Sequence, residues 1–531
     1  MFLFWLILLP IIFALIGYLL NRKNLQLSMV IGQVFIFGLS IYSYATVYRE
    51  GPLRATLGYD NSFIAISLVG DQIGSLFVML TCFLFLMMLI YNFHKHYMNQ
   101  LFLFLFMLLQ GLINGIFLSN DFFDLYTLIE LSTVTVAVLI MYKKDSQSIY
   151  DGMVYLLTNL VSMTFFLLGI GYLYKIFGHL DFETIKALMP EIKNPRTLIL
   201  PYTLLITSIG LKSAIMPLFS WLPRAHGTPS APSIVSAILS GLYVKGGIYL
   251  LIRFQDTFSY HLDTSKAFLV MGFLTAVIGF IFALSQTDIK LILAYHTVSQ
   301  IGLIIFGLSM GSDYSYYGAI YHIINHAIFK STLFLTAGII IEEYHTRDIR
   351  QIHGVFKRMP FVAVIMIVAI MGITGAPLFN GSVSKYLIQK GTSYSNLLEL
   401  ALIVINLGTI ISFVKYATML LGPHEERYKV RMNQKIALGL LASITFIGGL
   451  FGQQFVNFIF QLDIQISPES WLKKGLVYAI SMTIGILFYK YLYKKIRFFH
   501  TMREIELTFN EIIYSIFFFF SGFLGYMMIT F

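Results

Sequence analysis

Residues 316–341 read YYGAIYHIINHAIFKSTLFLTAGIII. As a helix rising 1.5 Å per residue, this run is long enough to cross a hydrocarbon core about 30 Å thick. Three ionisable residues interrupt it: His322, His326 and Lys330. Their spacing of four and four places them on one helical face. A charge at the centre of a bilayer costs at least ~2.5–3.5 kcal/mol, so such residues face a bundle interior and mark an ion path. The stretch therefore reads as a membrane span turned toward protein.

The rest of the chain is of the same kind. Of 531 residues, 57% are hydrophobic, 16% aromatic and only 12% charged, against about a quarter charged in a soluble domain. Apolar runs fall near 2–20, 26–46, 71–92, 100–118, 121–142, 151–174, 198–219, 232–253, 266–287, 291–310, 316–341, 361–389, 397–421, 436–459, 474–493 and 509–530. The expected fold is an all-α polytopic membrane protein of about 14–16 transmembrane helices. A β-barrel would need short alternating segments, which are absent from the sequence. MFLFWLILLP at the start has no basic region before its apolar run and is expected to be a retained span.

The net charge of +10 does not indicate nucleic acid, because the basic residues are dispersed through short loops. Alternate loops carry Arg22 and Lys23, Lys95, Lys143 and Lys144, Arg224, Lys290, Arg347 and Arg350, Arg427 and Lys429, and Lys494 and Lys495. The opposing loops near 119–124 and 309–317 contain no Lys or Arg. The bias places the basic set in the cytoplasm and the N-terminus outside. Loops 47–69 and 176–197 are of mixed charge. The single cysteine, Cys82, can neither hold an iron–sulfur cluster nor close an internal disulfide. With no dinucleotide fingerprint and no phosphate-binding loop, no cofactor is expected on this chain.

Further charges lie inside other runs: Glu130, Lys212, Lys245, Lys385 and Lys415, with His226 and His296 as further candidates. Lys415 stands near a helix end and could equally extend its ammonium to the interface. His322 and His326 have metal-ligand spacing, but no third ligand is near in sequence, so a metal, a structural role and a proton relay all stay open. Two runs look broken. PLFSWLPRAHGTPSAP follows Lys212, with Pro217, Pro223, Pro229 and Pro232, and GITGAPLFNGS precedes Lys385, with Gly372, Gly375, Pro377 and Gly381. Paired interruptions point to a transporter built on inverted-topology repeats. Spacing agrees: Lys212 to Lys245 is 33 residues, and Lys385 to Lys415 is 30. The expected organisation is N-terminal helices over 1–99, a first repeat over 100–254, a second over 266–421 and C-terminal helices over 422–531.

LKSAIMPLFSWLPRAHGTPSAPSIVSAILSGLYVKGGIYLLIRF over 211–254 resembles the signature of antiporter-like membrane subunits. These are shared by respiratory complex I, Mrp-type Na+/H+ antiporters and membrane-bound hydrogenases. TDIKLILAYHTVSQIG, YHIINHAIFKSTLFLTAG, TRDIRQIHGVFKRMP and GAPLFNGSVSKY resemble the family's later motifs in order. The resemblance implies that Glu130, Lys212, Lys245, the His322/His326/Lys330 face and Lys385 form a proton line through the middle of the membrane. Phe219 stands where the family often has histidine, GTPS separates His226 from the next Ala-Pro, and the spans after about 460 exceed the usual core. Implied partners are protons, with sodium as the second cation, lipids, and other membrane subunits in a bacterial or archaeal cell membrane. Three functions compete: an Mrp-type antiporter subunit, a proton-pumping arm subunit of a complex I-like oxidoreductase or hydrogenase, and a scaffold with a silenced pathway.

Overall fold

The computed structural model describes residues 2–19, 25–58, 66–93, 95, 97–423 and 426–531. Arg22 and Lys23, two of the orientation markers, lie outside the described residues, as does the side chain of Lys494. The chain is helical nearly throughout. Its helices are α1 Phe2–Leu19, α2 Leu25–Glu50, α3 Gln72–Tyr91, α4 Gln100–Leu118, α5 Phe122–Ile140, α6 Ser146–Phe177, the short α7 Phe182–Leu188, and α8 Ile199–Lys212. There follow α9 Trp221–Gly227, α10 Ser233–Ile238, α11 Val244–Phe258, α12 Ser265–Ser285, α13 Ile289–Leu308, α14 Asp313–Tyr344, and α15 Val355–Arg358. The last are α16 Pro360–Thr374, α17 Asn380–Lys390, α18 Asn396–Ala417, α19 Met432–Leu450, α20 Gly452–Phe460, α21 Pro468–Leu487, α22 Phe498–Arg503 and α23 Phe509–Thr530. An antiparallel hairpin, β1 Leu53–Leu57 with β2 Ile66–Gly70, occupies one mixed-charge loop, pairing Leu53 with Gly70 and Ala55 with Leu68.

Thirteen helices among the described residues are long and apolar enough to cross a membrane, or up to fourteen if a bent pair counts as one span. They coincide with thirteen of the expected runs. The other three runs are the interrupted ones: α8 with α9, α16 with α17, and α19 with α20, which bend by 84° at Phe451. The first two breaks fall where the prolines and glycines place them. The third was not expected.

Acidic and amide caps start many of the spans. Asp71, Asn99, Asp121, Asp145 and Asp288 each accept from backbone N–H groups in the first turn of α3, α4, α5, α6 and α13. These are the donors that a helix start leaves unsatisfied. The helices 233–258 and 313–344 are buried along their whole apolar windows, whereas that of 468–492 is only 6% buried. The two fully buried helices are those that carry Lys245 and the His322/His326/Lys330 face.

The described residues divide into two compact units. The first comprises Met1–Ser213, Leu242–Thr264 and Thr508–Phe531; the second comprises Ala214–Gly241 and Ser265–Leu507. In the first, α23 packs on α6 through Phe165, whose ring centroid lies 5.6 Å from Phe517 and 5.3 Å from Phe520. Arg253 on α11 bonds the cap residue Asp71 at 2.5 Å. In the second, Arg347 bonds the cap residue Asp288 at 2.7 Å.

Each unit contains the same local construction. α6 and α14 both have 32 residues, starting at 146 and 313, a displacement of 167. The isolated bridge Asp121–Asp181 recurs as Asp288–Asp348 at that displacement. Its backbone bonds recur as well: Phe122 N to Leu180 O and Phe182 N to Asn120 O match Ile289 N to Arg347 O and Ile349 N to Thr287 O. The same strut bonds thus flank helices of the same length in both units.

Candidate functional site

α8 runs out at Lys212, and Ser213 is its C-cap. Pro217, which has no N–H to donate, disfavours continuing the helix beyond this point. Gly247 of α11 sits directly on this helix end: a Cβ there would lie 2.6 Å from the Lys212 carbonyl carbon and the Ser213 nitrogen. The Lys212 side chain is buried and its Nζ donates to Thr133 Oγ1 at 2.7 Å. Tyr243 Oη lies 3.2 Å from both Ser132 Oγ and Thr133 Oγ1. Tyr243 ends a π turn, Leu239–Tyr243, and Lys245 follows buried in α11. Such turns recur at functional sites.

Glu130 lies one turn before Thr133 on α5 and is half-buried. Among the described residues it forms no direct ion pair with Lys212. Thr133 and Tyr243 take the near positions around the ammonium.

In the second unit, His322 joins three helices. Its Nε2 lies 3.0 Å from Gln300 Oε1 on α13, and its Nδ1 lies 2.9 Å from Ser384 Oγ on α17. Gln300 Nε2 in turn donates to Thr409 Oγ1 at 3.3 Å, which leaves Gln300 Oε1 as an acceptor for His322 Nε2–H. Ser384 Oγ is also 3.2 Å from Gly381 O. This arrangement accommodates both states of the ring. With imidazole, the Ser384 hydroxyl donates to Nδ1. With imidazolium, Nδ1–H donates to Ser384 and the hydroxyl turns to Gly381 O. Neither state leaves a donor facing a donor.

Lys385 follows Ser384. Its side chain is buried, and Nζ has no hydrogen-bond partner among the described residues. It packs on Gly375, the left-handed C-cap of α16 with φ +81°, where a Cβ would lie 2.9 Å from Lys385 Cδ. Lys330 Nζ donates to Leu293 O at 2.6 Å, and His326 is buried on the same face of α14. Among the described residues, no group of three His, Cys, Asp or Glu is placed to hold a metal.

The further candidates differ in their surroundings. His296 is buried with its ring 4.7 Å from Phe413, and neither nitrogen has a hydrogen-bond partner among the described residues. His226 Nδ1 meets Leu222 O of its own helix. The buried Lys415 ammonium donates to Leu284 O and Gln286 O, the carbonyls at the end of α12. Such a cation is a helix C-cap. Lys290 corrects the reading of it as a loop charge. It is the second residue of α13, buried, and its Nζ donates to Ala231 O at 2.8 Å and lies 3.2 Å from Ser236 Oγ. It satisfies backbone in the proline-rich segment.

The displacement of 167 carries Tyr155, Asn159 and Met163 to His322, His326 and Lys330, and Glu130 to Thr297, next to His296. His322, His326 and Lys330 thus have no ionisable counterparts other than Tyr155 at that displacement.

A model of the family described as "NADH:quinone oxidoreductase/Mrp antiporter, TM" matches residues 119–412, more than half of the chain. The chain belongs to this family. The match takes in every residue from Glu130 to Lys385 named above and stops short of Lys415. A Na(+)/H(+) antiporter subunit of Alkalihalophilus pseudofirmus is 27% identical over 487 residues, spanning 87% of this chain and 97% of the relative. The "Putative antiporter subunit mnhD2" of Staphylococcus aureus is 31% identical over 407 residues, 75% of this chain and 81% of its own. A chain in the Mrp complex from Dietzia sp. DQ12-45-1b has the same fold, with a TM-score of 0.79 at 20% identity over 91% of this chain and 98% of that one. The chain is thus a multi-pass membrane protein with the antiporter-like family fold.

Proposed function

We propose that this chain is the proton-translocating subunit of a multi-subunit Mrp-type Na+/H+ antiporter. The observation that carries the proposal is His322, held between Gln300 and Ser384 so that either protonation state is fully hydrogen-bonded, with Ser384 itself the neighbour of Lys385 on α17. A group that gains and loses a proton with only the rotation of one hydroxyl is suited to relay. Glu130, Lys212 and Lys245 serve as carriers in the first unit, and His322, His326, Lys330 and Lys385 in the second. Lys212 hands its proton on through the hydroxyls of Thr133 and Tyr243.

Segments 100–254 and 266–421 are the two repeats. Each holds five membrane elements, one of them broken. An odd number of crossings makes the second copy enter from the opposite face, which inverts its topology. The loop charges put the N-terminus outside a prokaryotic cell membrane. Partner subunits and sodium as counter-ion follow from the names of these relatives, which are antiporter subunits. The names favour antiport over a redox-driven arm.

The test is mild purification of the intact complex followed by reconstitution. Antiport predicts small hydrophobic partners and proton flux driven by a sodium gradient in sealed liposomes. Co-purifying iron–sulfur or nickel–iron subunits, with no sodium-driven flux, would contradict it.

A further inference from the structure

A cavity of about 260 Å3 lies where α16 and α19 begin. Met359, Pro360, Phe361 and Val430 give it an apolar floor, and Arg427, Lys429 and Lys435 line it as well. No carboxylate lines it among the described residues. One water takes about 30 Å3 of liquid, so a phosphodiester, the size of a few waters, fits.

The segment leading into α19 is tied to the start of α16, since Tyr428 N donates to Arg358 O at 2.8 Å. Val430 is buried while Lys429 and Arg431 on either side are exposed. The apolar side chain therefore turns inward and the basic ones outward. Pro360 opens α16, where a missing N–H costs nothing. Lys435 enters from the first turn of α19, with Nζ 5.9 Å from the Phe361 ring centroid. Arg358, beside Met359, is matched already: its Nε donates to Glu343 Oε1 at 3.0 Å. Arg427, Lys429 and Lys435 form no such ion pair among the described residues.

α19 leaves this cavity with an apolar face. Met432, Ile436 and Leu440 recur every four residues and are exposed, as is Val364 on α16. In a chain that spans a membrane, such a face lies against acyl chains. Basic pockets between membrane helices take anionic headgroups. A free phosphate would leave the apolar floor and the track beside it unfilled.

We propose that this cavity binds the headgroup of an anionic phospholipid. The phosphodiester sits on Arg427 and Lys429 with Lys435 beside it, and the acyl chains follow Met432, Ile436 and Leu440.

The test uses the intact complex with Phe361→Trp, reconstituted with phosphatidylglycerol or phosphatidylcholine brominated high on the acyl chain. Quenching of the fluorescence that this tryptophan adds to the parent complex reports the lipid at the cavity. Each Lys or Arg near a membrane surface favours an anionic headgroup by roughly fivefold, so brominated phosphatidylglycerol should quench at a mole fraction about tenfold below that of brominated phosphatidylcholine. Arg427→Gln combined with Lys429→Gln should bring the two curves together and leave the phosphatidylcholine curve where it was. Equal quenching by both lipids without that change would make the cavity ordinary lipid-facing surface and overturn the proposal. Quenching by neither would mean that a partner subunit covers it, and would overturn it too. So would inorganic phosphate that removes the preference more than chloride at the same ionic strength, which would assign the cavity to free phosphate. Should Phe361→Trp fail to assemble, Tyr428→Trp carries the same probe. Binding is read without flux, so its failure leaves the transport proposal standing, and failed antiport does not bear on it.

Discussion

At the scale of residues, burial makes ionisable groups conspicuous, and their partners decide what they do. Lys212, Lys330 and Lys415 are all buried lysines with bonded ammonium groups. Lys212 meets a hydroxyl that can pass a proton on, whereas Lys415 meets two carbonyl oxygens that cannot. His322→Leu is expected to lower flux by roughly 100-fold, measured as sodium-driven proton uptake by reconstituted complex. Lys415→Met should instead destabilise the fold by roughly 1.5–3 kcal/mol, seen as a lowered melting temperature with an unchanged pH profile of the remaining flux. The charges themselves were legible in the sequence, since a lysine in an apolar run stands out. Thr133, Tyr243, Gln300 and Ser384 were not legible. Neutral hydroxyls and amides are unremarkable in a span, and only three-dimensional proximity gives them a role. Lys290 was missed for another reason: it is the second residue of a helix, where a lysine ordinarily reaches water.

At the scale of elements, the breaks matter because they bring backbone and lysine together. Gly375 combines a left-handed backbone with a Lys385 side chain packed where its Cβ would be. Gly375→Ala is expected to cost about 1–2 kcal/mol from the positive φ alone and to displace Lys385. Its signature would be loss of flux greater than loss of assembled complex. Prolines and glycines made the first two breaks legible. The third, at Phe451, carries no proline. Its signal was the small-residue run GGLFG over 448–452, and its cause is close packing, since a Cβ on Gly449 would lie 2.2 Å from Leu378 O. The recurrence between the two units was legible only as matching spacings. The strut bonds at a displacement of 167 involve backbone, which leaves no trace in side-chain identity, and the equivalent pairs, such as Tyr155 and His322, differ in chemistry.

At the scale of the molecule, composition alone dictated a helical membrane protein, and the family match agrees with it. Single cysteines at Ser312 and His353, on loops of opposite charge character, test the orientation in intact cells with a membrane-impermeant thiol reagent. Labelling is expected at 312 and not at 353; the reverse pattern would invert the topology. The central claim is that buried lysines in both units carry the transported proton. The most direct measurement is sodium-driven proton flux in proteoliposomes containing the fully assembled complex with Lys212→Ala or Lys385→Ala. The account predicts that each substitution nearly abolishes flux while subunit composition and thermal stability stay near those of the parent. Flux at the parent rate in either assembled variant would contradict it.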